Sequence, residues 1–159
     1  MNIDIVCVGN LKEKYWRDAE AEYLKRLSAY GKMNIIQIKE TLLPANASPA
    51  NEREVVASES KALADIADKR GFVVALAGEG KPFSSEAFAA KLRTLAVNGV
   101  SRAVFLIGGS LGLSKEVIAR CDLTLSLSQM TFPHQMARII LLEQLYRSFK
   151  ISNNETYHK

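Results

Sequence analysis

Histidine and cysteine are scarce in this chain, and each shortage removes a class of chemistry. The only two cysteines, Cys7 and Cys121, lie far apart and form no Cys-x-x-Cys pair. With no secretory context they read as reduced thiols in the core, not as a disulfide framework. His134 and His158 are the only histidines, which leaves too few ligands for a closed zinc site, so no metal is expected. No apolar run is long enough to span a bilayer. Met1-Asn-Ile-Asp-Ile is acidic where a signal peptide would be basic, so a cytoplasmic protein without a membrane partner is expected. Several nucleotide and hydrolase signatures are missing as well. No loop reads Gly-x-Gly-x-x-Gly opening a helix, no Gly-x-Ser-x-Gly elbow occurs, and Gly78-Glu-Gly-Lys81 is followed by Pro82 where a P-loop needs Ser or Thr.

What is present is an ordinary globular composition. At 159 residues, with 48% hydrophobic and 24% charged residues, and with no internal repeat or linker, the chain reads as one domain with a proper core. Its formal net charge of +4 fits a polyanionic partner, although many proteins without one are equally basic. Short β-branched runs at Ile3–Val8, Asn34–Lys39, Phe72–Leu76, Ala103–Ile107 and Leu123–Leu127 read as strands. Helical spacing occupies Glu13 to Ala29, Glu52 to Lys69, Ser84 or Ser85 to Val97, Ser114 to Arg120, and Pro133 to Lys150. Residues 40–51 read as a loop, and Ala77–Phe83 as a tight turn, because Pro, Asn and Gly favour turns over ladders. Strands alternating with helices predict an α/β fold with a mostly parallel sheet covered on both faces. Ala103–Ile107, the most apolar run, should be central.

In such a sheet three segments fall where parallel strands end: Leu76–Gly80, Gly108–Gly112 and Leu127–Phe132. Any one of them is explained by plain turn chemistry. Three at one sheet edge point to a ligand, since glycine lets backbone approach it closely. The third is the densest. Leu125-Ser-Leu-Ser-Gln-Met-Thr-Phe-Pro-His-Gln-Met-Ala-Arg138 runs from a strand into a helix start, where proline suits the first turn. It crowds Gln129, Thr131, His134, Gln135 and Arg138 together. Leu76, Leu127, Met130 and Phe132 offer apolar walls, while backbone at Gly108, Ser128 and Met130 offers polar edges. His134 is a base candidate near neutral pH, or a helix-start histidine bonded to backbone. Arg138, on the same helix face, is suited to a phosphate or a uracil-like anion, or to a surface or intersubunit salt bridge. The tail Asn153–Lys159 reads as frayed, or, with Tyr157, His158 and Lys159 at its end, as a stacking and titratable element.

Four ordered motifs carry a resemblance over the whole chain: Val8-Gly-Asn-Leu-Lys-Glu-Lys-Tyr-Trp16, Phe105-Leu-Ile-Gly-Gly-Ser-x-Gly112, the 125–138 stretch, and Tyr157-His-Lys159. Together they closely resemble the ribosomal RNA large-subunit methyltransferases that modify a pseudouridine, minimal members of the SPOUT class. The resemblance implies a homodimer with a C-terminal trefoil knot, an outcome ordinary connection rules would reject. It implies S-adenosyl-L-methionine at Leu76, Gly108 and the run Leu127, Ser128, Gln129, Met130, Thr131, Phe132. It also implies a tail that orders near that cofactor, with the base left open between His134 and His158. Methyl transfer from a sulfonium to a ring nitrogen asks the protein to align donor and acceptor. The expected substrate is 23S ribosomal RNA within the ribosome or large subunit, with Lys12, Lys14, Arg17 and Arg147 on phosphates. A non-catalytic RNA-binding or assembly factor is the alternative.

Overall fold

The computed structural model describes residues 1–67 and 71–157. Five strands, β1 (Asn2–Val8), β2 (Met33–Ile38), β3 (Phe72–Pro82), β4 (Arg102–Ile107) and β5 (Leu123–Ser126), form one sheet in the order β2-β1-β4-β3-β5. Every pairing between them is parallel. The helices are α1 (Lys14–Leu27), α2 (Pro49–Ala67), α3 (Ser85–Val97), α4 (Lys115–Arg120) and α5 (His134–Ser152).

Strand periodicity sorts the core into two layers. Ile3, Ile5 and Cys7 of β1 face the same way as Ala103, Phe105 and Ile107 of β4, and pack with Leu27, Phe88, Leu92, Leu141, Leu142 and Leu145 from α1, α3 and α5. The alternate residues Val6, Val8, Val104 and Leu106 face α2 and α4 through Leu63, Ala67 and Val117. Because β4 is buried on both faces its sequence is continuously apolar, as its central position requires. Asp4 ties the strands laterally, pairing with Arg102 of β4 and accepting from Asn34 Nδ2 of β2 at 2.6 Å.

Most element ends shift by a residue or two from the sequence expectation, and two boundaries depart further. Residues 49–51 belong to α2, not to the preceding loop. The Asn51 backbone N–H donates to Ser48 Oγ at 3.2 Å, the Ser48 N–H donates back to Asn51 Oδ1 at 3.0 Å, and Glu52 N–H reaches the Ser48 carbonyl at 3.1 Å. This reciprocal cap, with Pro49 in the first turn, is a helix start assembled from residues that otherwise read as breakers. The expected end of this helix at Lys69 lies outside the described residues.

The second difference shapes the site. Residues 77–82 do not turn; they continue β3, which pairs with β5 twice. Leu76 aligns with Leu125, and after a register shift Lys81 aligns with Leu125 again and Pro82 with Ser126. The chain therefore bulges at Ala77–Gly80 and returns to the same partner. Gly80 makes the return possible: a Cβ there would stand 2.7 Å from the Leu125 carbonyl carbon and 2.8 Å from the Ser126 nitrogen. Tertiary pairing overrides the local turn preference of Gly and Pro.

Candidate active site

The three strand-end segments meet around one cavity of about 590 Å3. Its walls come from Leu76–Gly78, from Ile107–Ser110 with Gly112, and from Leu125 and Leu127 through His134, with Ala137 one turn into α5. All eight residues expected to hold a cofactor line it: Leu76, Gly108, Leu127, Ser128, Gln129, Met130, Thr131 and Phe132. The bulge in β3 opens the first wall. The second is a tight loop in which Gly109 and Gly112 bridge, and a Cβ on Gly108 would collide with the Gly112 backbone. The third is pinned by Ser126 Oγ, which donates to the Ser128 carbonyl at 3.0 Å, and by Ser128 Oγ, which accepts from Met130 N–H at 3.0 Å. Met130 is 76% exposed and forms an apolar rim.

His134 opens α5, preceded by Pro133 at the cap position. Its Nε2 is buried and has no hydrogen-bond partner among the described residues. Burial holds the imidazole below its ordinary pKa; Arg138 and Lys12 push the same way, and Glu40 and Glu59 oppose them. A neutral ring with an unused nitrogen at a cavity wall suits proton acceptance. Glu40 stands nearby and pairs with Lys12 at 3.5 Å.

Two further expected site residues, Arg138 and Tyr157, lie elsewhere. Arg138 does not line the cavity. It is 1% exposed, donating through Nη2 to the Gly9 carbonyl at 2.9 Å and through Nη1 to Glu20 at 3.2 Å. Its guanidinium therefore has an intramolecular place, under the loop that faces His134, where the sequence offered a phosphate or uracil-like anion, or a surface or intersubunit salt bridge. Tyr157 packs edge-on against Tyr146 at 4.9 Å, under the Arg147 guanidinium at 4.8 Å, with its hydroxyl 3.4 Å from Glu143. Glu143 lies nine residues beyond His134, about 13 Å along the helix. His158 and Lys159 lie outside the described residues.

The cations expected on phosphates already have protein partners. Lys14 pairs with Asp18, Lys12 with Glu40 and Arg147 with Glu143, while Arg17 donates to the Leu11 and Lys12 carbonyls.

Sequence reasoning overlooked Glu59 and Glu40. Glu59 interrupts the apolar stripe Val55, Val56, Leu63, Ala67 of α2 one turn before Leu63, and a charge inside such a stripe was the available signal. The cavity suits a nucleoside better than a nucleotide. Its walls are mostly apolar side chains, glycine and backbone, joined by Ser110, Ser128, Gln129, Thr131 and His134, and among the described residues no Lys or Arg lines it to neutralise a phosphate.

Comparison with known proteins agrees with this geometry. Residues 1–158 match the family described as "Predicted SPOUT methyltransferase". Proteins named ribosomal RNA large subunit methyltransferase H from Bifidobacterium adolescentis and from Bacillus thuringiensis subsp. konkukian are 48% and 50% identical to it, each over 100% of both chains. Among solved structures, a probable methylase family protein from Haemophilus influenzae shares the fold with a TM-score of 0.56 at 13% identity, covering 99% of this chain and 70% of that one. A tRNA (m1G37) methyltransferase from Aquifex aeolicus does so with a TM-score of 0.50 at 12% identity, covering 92% of this chain and 70% of that one. The three-walled cavity at the strand ends is thus built by a chain that belongs to the SPOUT methyltransferase family.

Proposed function

We propose that this chain uses S-adenosyl-L-methionine to methylate N3 of a pseudouridine in 23S ribosomal RNA, acting in the cytoplasm on assembled ribosomes or large subunits. The observation that carries the reading is a nucleoside-sized, mostly apolar cavity lined by His134, whose Nε2 is buried and without a hydrogen-bond partner among the described residues. Full-length relatives named as large-subunit ribosomal RNA methyltransferases support the substrate.

When bound, S-adenosyl-L-methionine supplies an electrophilic methyl group. Leu76, Leu127, Met130 and Phe132 wall its nucleoside, and backbone at Gly108, Ser128 and Met130 reads its polar edges. Gln129 and Thr131 complete the same loop. His134 accepts the proton that leaves the ring nitrogen. Arg138 is a positioning residue in this reading: it holds the Gly9 carbonyl, and with it the loop opposite His134.

We read the working unit as a homodimer. Tyr157, the last described residue of the tail, lies beside Glu143, well down α5 from His134, and does not line the cavity of its own chain. Two copies packed through α5 would let one tail finish the other's site. The trefoil knot belongs to the same reading, supported by the Cβ-free backbone passages at Gly80 and Gly108. Pulled from both termini, a knotted chain stops short of its full contour length, and full extension would remove that part.

Calorimetry with S-adenosyl-L-methionine, then methyl transfer to naked ribosomal RNA, isolated subunits and ribosomes, tests the whole. Mass spectrometry should place the product on a pseudouridine. RNA binding indifferent to the donor, with no transfer on any substrate, would mark the chain as a non-catalytic RNA-binding or assembly factor.

A further inference from the structure

Among the described residues three charged side chains are buried: Asp4, Glu59 and Arg138. Asp4 pairs with Arg102 and Arg138 with Glu20, whereas Glu59 forms no ion pair among these residues. A buried carboxylate without a cation is costly, so its retention asks for a reason. Hydrogen bonding does not supply one. Glu59 Oε1 accepts from the Thr41 N–H at 2.7 Å, which a glutamine would do equally well.

The other oxygen faces the cavity wall. A Cβ built on Gly109 would lie 2.9 Å from Glu59 Oε2, and Gly109 lines the cavity. The neighbouring Ser60 locks this arrangement by accepting from the Ser114 N–H at 2.8 Å, so α2 and the loop before α4 move together. The other charges near the cavity are paired, Arg138 with Glu20 and Glu40 with Lys12, and the N-terminal end of α5 adds the positive pole of a helix dipole. Glu59 also reaches the cavity electrostatically, raising the pKa of His134 against burial.

We propose that Glu59 is the counter-charge of the cavity, a carboxylate seated behind Gly109 that makes the site prefer a cationic sulfonium donor over its neutral thioether product. The inference rests on the donor reading above and deepens it. Methyl transfer removes the positive charge from the donor's sulfur. A fixed negative charge behind the wall therefore favours binding of the donor and release of the product, without touching either.

Calorimetry on the native chain and on Glu59→Gln, with S-adenosyl-L-methionine, S-adenosyl-L-homocysteine and an analogue carrying an ammonium in place of the sulfonium, is the test. Glu59→Gln should weaken the two cations by about fivefold or more relative to the thioether, and Glu59→Asp should restore part of the preference. Equal weakening of all three ligands would make Glu59 a strut, and no change would make it a bystander; either result overturns the proposal. Should Glu59→Gln fail to fold, the native chain decides. The ammonium analogue must bind it more tightly than the thioether does, and equal or weaker binding overturns the inference. A native chain that binds none of the three removes the donor reading itself, and this inference with it.

Discussion

Glu40 and His134 both approach Gly9 on the side where a side chain would stand: a Cβ on that glycine would lie 3.7 Å from Glu40 Oε2 and 3.8 Å from His134 Nε2. Gly9 has φ +75, and its carbonyl accepts from Arg138. Three loops of different sequence origin thereby share one residue. Gly9→Ala meets no steric clash, so its cost is the left-handed backbone, about 1 kcal/mol. Urea denaturation should show that loss, and a neutral result would mean the loop relaxes.

Arg138 anchors the same loop from below. Arg138→Ala leaves Glu20 and the Gly9 carbonyl without their partner in a buried setting, and should destabilise the chain by about 3 kcal/mol. Glu20→Gln should cost less, because the neutral amide still accepts a hydrogen bond. A double-mutant cycle in urea measures the coupling, and additive losses would show that the pair does not act as a unit.

The glycines in and next to the cavity walls are not equivalent. Gly80→Ala pushes a methyl into the Leu125–Ser126 backbone, and Gly108→Ala does the same to Gly112, so each should cost about 2 kcal/mol or more. A Cβ on Gly78 meets nothing within 4 Å, and Gly78→Ala should leave stability within about 0.5 kcal/mol. Thermal melts of the three variants separate close backbone passage from turn preference. Equal behaviour at all three positions would sink the distinction.

Burial lowers the pKa of His134 in the folded chain, so the unfolded chain binds this proton first as pH falls. The neutral ring's contribution is complete above the ordinary histidine value of about 6.5, and is lost as pH drops from there through the lower folded value. Stability measured against pH should fall in that window for the native chain and less steeply for His134→Ala. If His134 is the base, turnover should share an acid limb lying below pH 6.5, and a limb above it would exclude His134 from the proton transfer.

Cys7 sits in the core with its thiol pushed up to about 11 by burial. It should resist thiol reagents near pH 8 in the folded chain and react once urea unfolds it, because the thiolate is the reactive form. Rapid labelling of Cys7 in native buffer would contradict its place on β1.

The order of strands and helices, the central burial of Ala103–Ile107 and the sheet edge that carries the cavity were legible in the residues themselves. Each is written in local periodicity and glycine placement. Ser84 and Ser114 were readable as helix caps for the same reason, since a cap is a contact within one turn. The second pairing of β3 was not, because Ala77–Pro82 has turn residues and becomes strand only beside β5. Arg138 and Glu59 were beyond local reading for a related reason. Arg138 shares a helix face with His134, yet its partners Glu20 and Gly9 are 118 and 129 residues away. Glu59 drew no reading from the sequence, and only packing places it behind Gly109. Short-range patterns set which segments form and which edge carries the cavity. Long-range packing alone decides where a buried charge sits, because its free energy depends on every group the fold brings around it.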